Sequence, residues 1–257
     1  MTAAFPIDAP PTAPAYVYGV VAADALSRLE LEGVAGAPVR TVASGKLAAL
    51  VSTLPTGKLR VRRRDLVSHL RVLEEAFAES TVVPCAFGMT VQSEQAVVDE
   101  FLEPRQDELL DLLHRLDGFV QLNVRVSYDE DVVLREIVAD DPTIAKLREQ
   151  TRQLGDAAYD LQLRLGELVA AAFEQRRERD GRTLLERLEP KVADVVVGDP
   201  GVLVLKASLL VARDASRTLD CELEEIAREQ APRLLIDSVG PLPPTAFAAL
   251  AGGSWDS

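Results

Sequence analysis

Apolar positions along the chain fall into stretches of period two separated by stretches of period three to four, and this alternation sets out the expected elements. Tyr16-Val-Tyr-Gly-Val-Val21 is aromatic and β-branched and reads as a strand. Ala22 to Leu31 is expected to hold a short helix capped by Asp24. Strands at Val39 to Ala43 and Leu47 to Ser52 follow, joined by the hairpin turn Ser44-Gly45-Lys46. Arg63 to Ser80 reads as an amphipathic helix, with Leu66, Leu70, Leu73 and Phe77 at helical spacing on one face. Thr81 to Val91 is an apolar run interrupted by Pro84 and Gly88, either one buried strand or a strand pair broken by a fixed turn. Proline cannot donate to a ladder, so Pro84 belongs at an edge, a bulge or a strand end. Ser93 to Leu116 is helical again, with Pro104 expected to break or kink it after Glu103. The order of these elements is βαββαβ-like with an appended helix, the arrangement of a ferredoxin-like fold.

Asp117-Gly118 punctuates the chain. Beyond it Phe119 to Tyr128 alternates, with Leu122, Val124 and Val126 on one side and Gln121, Asn123, Arg125 and Ser127 on the other. A helix from Asp129 to Ala139 leads to Asp141-Pro142, an N-cap followed by a proline suited to the first helical turn. One long helix is expected from there to about Arg179. Its seam of Ile144, Leu147, Thr151, Leu154, Ala158, Leu161, Leu165, Leu168 and Ala172 suits either a helix lying across its own sheet or a coiled-coil-like arm. A second segment spans Arg182 to Leu188. Val192 to Val197 and Val202 to Ala212 read as a hairpin about Gly198-Asp-Pro-Gly201. Asp214 or Ser216 starts a helix reaching Gln230, with Leu219, Leu223 and Ile226 inward, and Arg233 to Val239 forms the last strand. The pattern therefore predicts an α+β chain of two tandem domains on related plans: a modified ferredoxin-like domain at 15–117 and an α+β domain with a long helix at 118–245. A disordered leader at 1–14 and a flexible tail at 246–257 flank them.

Composition adds three constraints. With 257 residues, 47% of them hydrophobic and only 5% aromatic, the core must be built mainly from Leu, Val and Ala. A formal charge of −13 sets the chain against nucleic-acid phosphates and anionic lipid, so neither nucleic acid nor membrane is an expected partner. Cys85 and Cys221 are the only cysteines and are far apart, which points to a reducing cytoplasm and away from a disulfide framework. The first residues lack the basic start and apolar run of a signal peptide.

Motifs for catalysis are sparse. His69 and His114 each sit in a helical pattern without partners at metal or triad spacing, and structural or surface roles are expected. Gly57-Lys58 lacks the remainder of a phosphate loop, since Leu59 stands where Ser or Thr is required. Asp129-Glu-Asp131 suits helix capping rather than calcium. No catalytic residue, cofactor or metal is assigned. Arg60, Arg62, Arg63 and Arg64 are the densest basic cluster in an acidic chain, either a solvated helix start or a docking spot for an acidic partner surface.

Four segments, in order, carry a resemblance. They are Tyr16-Val-Tyr-Gly-Val-Val21, Thr81-Val-Val-Pro-Cys-Ala-Phe-Gly-Met-Thr-Val91, Gly118-Phe-Val-Gln-Leu-Asn-Val-Arg-Val126 and Gly240-Pro-Leu-Pro-Pro-Thr-Ala-Phe247. Together they make the chain resemble the gas vesicle protein GvpF/GvpL family. That resemblance implies two α+β domains, the first a modified ferredoxin-like fold, and an accessory role in gas vesicle assembly without catalytic residues. It implies binding to the small hydrophobic shell protein GvpA and to other accessory Gvp proteins, and a cytoplasmic, vesicle-associated location. Arg60, Arg62, Arg63, Arg64, Pro84 and Phe87 are the candidate partner-binding residues. A ferredoxin-like module that binds a small molecule for regulation is the alternative, and a cofactor-free α+β-barrel-type oxygenase is a more distant one.

Overall fold

Strand β1, Ala15–Ala22, is buried along all but its last residue and forms the axis of the first sheet. The computed structural model describes residues 13–25, 31–54, 62–154 and 159–248. The leader at 1–14 and the tail at 246–257 lie mostly outside the described residues. Strands β2, Arg40–Ser44, and β3, Leu47–Thr53, form a hairpin in which Gly45 takes a φ of 59° in a two-residue turn. β3 pairs antiparallel with one edge of β1. The other edge is shared by two short strands, β4, Val83–Pro84, and β5, Thr90–Val91. The run from Thr81 to Val91 is thus a strand pair broken by an arch, both halves lying along the same strand. The order β2-β3-β1-β4 is that of a ferredoxin-like sheet and puts Pro84 at its edge, opposite Gly19.

Helix α1, Arg63–Glu79, packs on β1. The chain then forms a short helix α2, Glu94–Ala96, continued by a π-helical stretch Val97–Leu102, and helix α3, Gln106–Leu116. The Ser93 hydroxyl accepts from the Ala96 N–H at 3.1 Å and starts this run. Pro104 lies in the turn between the π-helical stretch and α3, where a missing N–H costs no helical bond. Two sequence expectations need correction here. β1 continues through Ala22 into a turn at Ala23–Asp24, so the expected helix does not begin at Ala22, and residues 26–30 of it lie outside the described residues. Only a 3-10 turn, Val34–Gly36, is described in that crossover. The apolar face of α1 is also rotated from expectation: Asp65, His69, Val72, Leu73, Ala76 and Phe77 are buried, while Leu66 and Leu70 remain about 40% exposed.

The polypeptide divides into two compact units, residues up to Phe119 with those from Leu242, and Val120–Pro241. The second unit has the sheet order β7-β8-β6-β9, built from β6, Phe119–Tyr128, β7, Asp194–Val197, β8, Leu205–Ala212, and β9, Leu234–Leu242. The two sheets therefore share one topology. They differ in the first crossover, which here holds three helices: α4, Glu130–Asp140, α5, Pro142–Leu154, and α6, Tyr159–Leu188. Helix α7, Ser216–Glu229, lies in the second crossover and buries Leu219, Leu223 and Ile226.

The long expected helix is thus two. α5 and α6 pack against each other, and residues 155–158, which include Gly155 and Ala158, lie outside the described residues. α6 then runs without interruption through Arg182 to Leu188, against the expected break near Arg179. Its only fully buried residues are Gly181, Leu184 and Leu188, so its first five turns are stabilised mainly by α4 and α5.

Gly181 and Gly166 test this packing. At Gly181 an added Cβ would stand 2.6 Å from the Val204 carbonyl oxygen, whereas at Gly166 nothing lies within 4 Å. Gly166→Ala should therefore stabilise the chain by about 0.5–1 kcal/mol through helix propensity. Gly181→Ala should destabilise it despite the same propensity gain, by about 1–3 kcal/mol. Urea unfolding midpoints of the two variants check the opposite signs.

Candidate partner-binding site

Two tyrosines on β1 set the geometry around the first unit's candidate site. A buried phenol needs a partner, and each of these has two. The Tyr16 hydroxyl accepts from the Gly88 N–H at 2.9 Å and donates to His69 Nδ1 at 3.0 Å. The Tyr18 hydroxyl accepts from the Val34 N–H at 2.7 Å and shares a 2.8 Å hydrogen bond with Ser52 Oγ. The His69 ring stacks on Tyr18 at 5.6 Å and meets Phe87 edge-on at 5.5 Å. Phe87 is half-buried and closes the cluster from the arch between β4 and β5.

Burial controls the titration of the group. It pushes both phenols up, opposed at Tyr18 by its bonds to Ser52 and Val34. It lowers His69 to about 4, against a backbone hydrogen bond to Cys85 that favours the cation. Cys85 is buried, and burial pushes its thiol up to about 12, so it stays protonated and unreactive at neutral pH. His114 is exposed in the last turn of α3. No group of three His, Cys, Asp or Glu side chains suited to a metal occurs among the described residues. The cluster's effect is mechanical: it ties the arch at Cys85–Gly88 to β1 and α1.

Outside this cluster lies the other flank of α1. Arg62, Arg63 and Arg64 are all exposed at its start. Arg64 approaches Asp65 at 3.8 Å, while Arg62 and Arg63 make no ion pair among the described residues. Asp65 is 4% exposed and accepts from the Arg62 N–H at 3.1 Å, which suits a carboxylate in a first helical turn. Beside the arginines Leu66, Val67 and Leu70 are 40%, 58% and 41% exposed and form an apolar stripe. The site is therefore basic at one end and apolar along its length.

Of the candidate residues, Arg62, Arg63 and Arg64 stand together, and Arg60 lies outside the described residues. Phe87 belongs to the aromatic cluster, and Pro84 is buried against Gly19. The exposed stripe Leu66, Val67 and Leu70 escaped the sequence reading, because Leu66 and Leu70 were placed inward. A signal was available: two buried tyrosines needed polar partners, and His69 with Asp65 extends the series Val72, Leu73, Ala76 and Phe77 by helical steps.

Comparison with known proteins gives the following. The family model for "Gas vesicle synthesis protein GvpL/GvpF" matches residues 14–249. Gas vesicle protein F of a Streptomyces species is 38% identical over 237 residues, covering 90% of this chain and 98% of that protein. Gas vesicle protein L of the same organism is 27% identical over 266 residues, covering 92% of this chain and 93% of its own length. The crystal structure of GvpF from an Anabaena species superposes with a TM-score of 0.79 at 23% identity, over 94% of this chain and all of the other. That of GvpF from Microcystis aeruginosa gives a TM-score of 0.74 at 22% identity, over 93% of this chain and all of the other. These structures share the fold.

The buried histidine has a measurable consequence. An unfolded histidine titrates near ~6.5, above the folded value, so the unfolded chain binds the extra proton first as pH falls. Stability is full above that unfolded pKa and declines as pH drops toward the folded value of about 4, by roughly 3 kcal/mol. His69→Phe should remove this part of the decline. Denaturant midpoints at neutral and mildly acidic pH should show a steeper loss for the native chain, and equal slopes would refute the assignment.

Proposed function

The chain belongs to the GvpL/GvpF family of gas vesicle synthesis proteins, and from that premise we propose that it is a non-enzymatic accessory protein of vesicle assembly. It binds the small hydrophobic shell protein GvpA and other accessory Gvp proteins during nucleation or growth of the vesicle. It works in the cytoplasm and associates with the vesicle; among the described residues no helix is long and apolar enough to cross a membrane. Identity is 38% with the streptomycete protein F and 27% with protein L of the same organism, and we read the chain as F-like.

One observation carries the binding role: an outward stripe of Leu66, Val67 and Leu70 beside three exposed arginines, on a helix anchored by its other face. An apolar stripe rimmed by charge is the form a helix takes when it presents a docking face. In a chain of net charge −13 a local positive end selects partners of opposite sign and speeds their encounter. Pro84 and Phe87 serve this face indirectly, by fixing the arch next to α1.

The test is capture of the shell protein by the full chain. Arg63→Glu combined with Leu70→Asp should weaken capture at least tenfold, while thermal unfolding stays within about 2 °C, because both side chains are exposed. Undiminished capture would remove α1 from the contact. Deletion of the gene should abolish buoyant vesicles, and re-introducing the double variant should restore few of them.

A further inference from the structure

Among the described residues nothing pairs with the outer edge of the second sheet. β7 is the outermost strand of the order β7-β8-β6-β9. Its pairing is antiparallel, with Val196 opposite Ser208 and Val197 opposite Ala207, and the Gly198 N–H donates to the Lys206 carbonyl at 2.9 Å. Antiparallel ladders alternate, so the backbone groups of Val196 face β8 and those of Val197 face away from it. The Val195 N–H, on the outward side, is taken by its neighbour Asp194 at 2.8 Å. The Val197 N–H and carbonyl have no partner among the described residues. Val196 and Val197 are 40% and 53% exposed, and Val202 beyond the turn is 88% exposed. Edge strands are ordinarily guarded by shortness, charge, proline or a bulge; β7 is short and carries one charge, Asp194 at its start, while its three valines have no such guard.

Beside Val197 a groove of about 430 Å³ runs between β7 and α6, floored by Leu185 and Val204. Its rim carries Arg182 and Lys206 with one acid, Glu178. Arg182 and Lys206 are exposed and make no ion pair among the described residues. We infer that this edge takes up an extended segment of an assembly partner as a fifth strand, with an apolar and an acidic side chain two residues apart on the face toward the groove. An apolar side chain enters the groove beside Val197, the partner's backbone bonds to Val197, and a carboxylate meets Arg182 and Lys206.

This surface is separate from the α1 face and is tested without the shell protein. The probe is a capped decapeptide repeating Val-Thr-Glu-Thr, so that valine and glutamate share one face, added to the full chain at millimolar concentration, with amide exchange read residue by residue. Exchange at Val197 should slow at least tenfold while that at Val196, already bonded to β8, stays unchanged. The same peptide with lysine for glutamate should bind at least tenfold more weakly, as should the glutamate peptide to the Arg182→Glu, Lys206→Glu variant. Val197→Pro removes only an outward N–H, so it should abolish binding without shifting thermal unfolding. Unchanged exchange at Val197 would overturn the inference, and so would self-association through β7 that the peptide fails to disrupt.

Discussion

Burying a tyrosine hydroxyl commits the surrounding chain to satisfying it, and this constraint organises the first unit. Tyr16 and Tyr18 lie on the central strand, both fully buried, and their hydroxyls reach into α1, β3, the 3-10 turn and the arch after β4. A lost partner would leave a polar group without water at a cost of about 1–3 kcal/mol. The helix register follows from it. α1 turns His69 inward to meet Tyr16, and that rotation is what leaves Leu66 and Leu70 half in solvent. The exposed basic and apolar flank of α1 is therefore a consequence of the core's hydrogen bonding, not an independent feature of the surface.

The second unit meets a comparable demand with charge. The Tyr128 hydroxyl donates to Asp180 at 2.5 Å, and Arg233 pairs with the same carboxylate and approaches Glu136 at 3.3 Å. Arg176 bridges Glu136 and Asp140. These groups join the end of β6, α4, the middle of α6 and the start of β9. Arg176 is 13% exposed and Asp180 12%, so the ions are poorly solvated and hold each other in place. The Arg233 Nε lacks a well-aligned hydrogen bond, and the network holds it by charge rather than by direction. Below this clamp α6 has a core to rest on; above it the helix leans on α4 and α5.

The two units show one sheet order carrying different surfaces. In the first, a helix against the sheet exposes a basic and apolar flank. In the second, three helices fill the first crossover, and a valine strand is left at the sheet's edge beside two basic side chains that make no ion pair among the described residues.

Much of this was legible in the residue pattern. β1, the β2–β3 hairpin, β6, β8 and α7 follow from β-branched runs, a Gly turn and helical spacing, all of which act locally. The break at Pro104 and the edge position of Pro84 follow from a missing N–H. What the pattern could not fix was the rotation of α1, because two stripes at helical spacing overlap there. The choice between them depends on polar partners far away in sequence, Tyr16 and Gly88. Nor could it separate a single long helix from α5 and α6, since a seam of one period reads alike whether it faces a sheet, a partner or its own folded-back half. The exposure of β7 was hidden for the same reason: valines predict a strand, but only the assembled sheet decides which strand stands at the edge. The Thr81–Val91 stretch joins the two cases, its proline and glycine set by sequence and its broken pairing along β1 set by the fold.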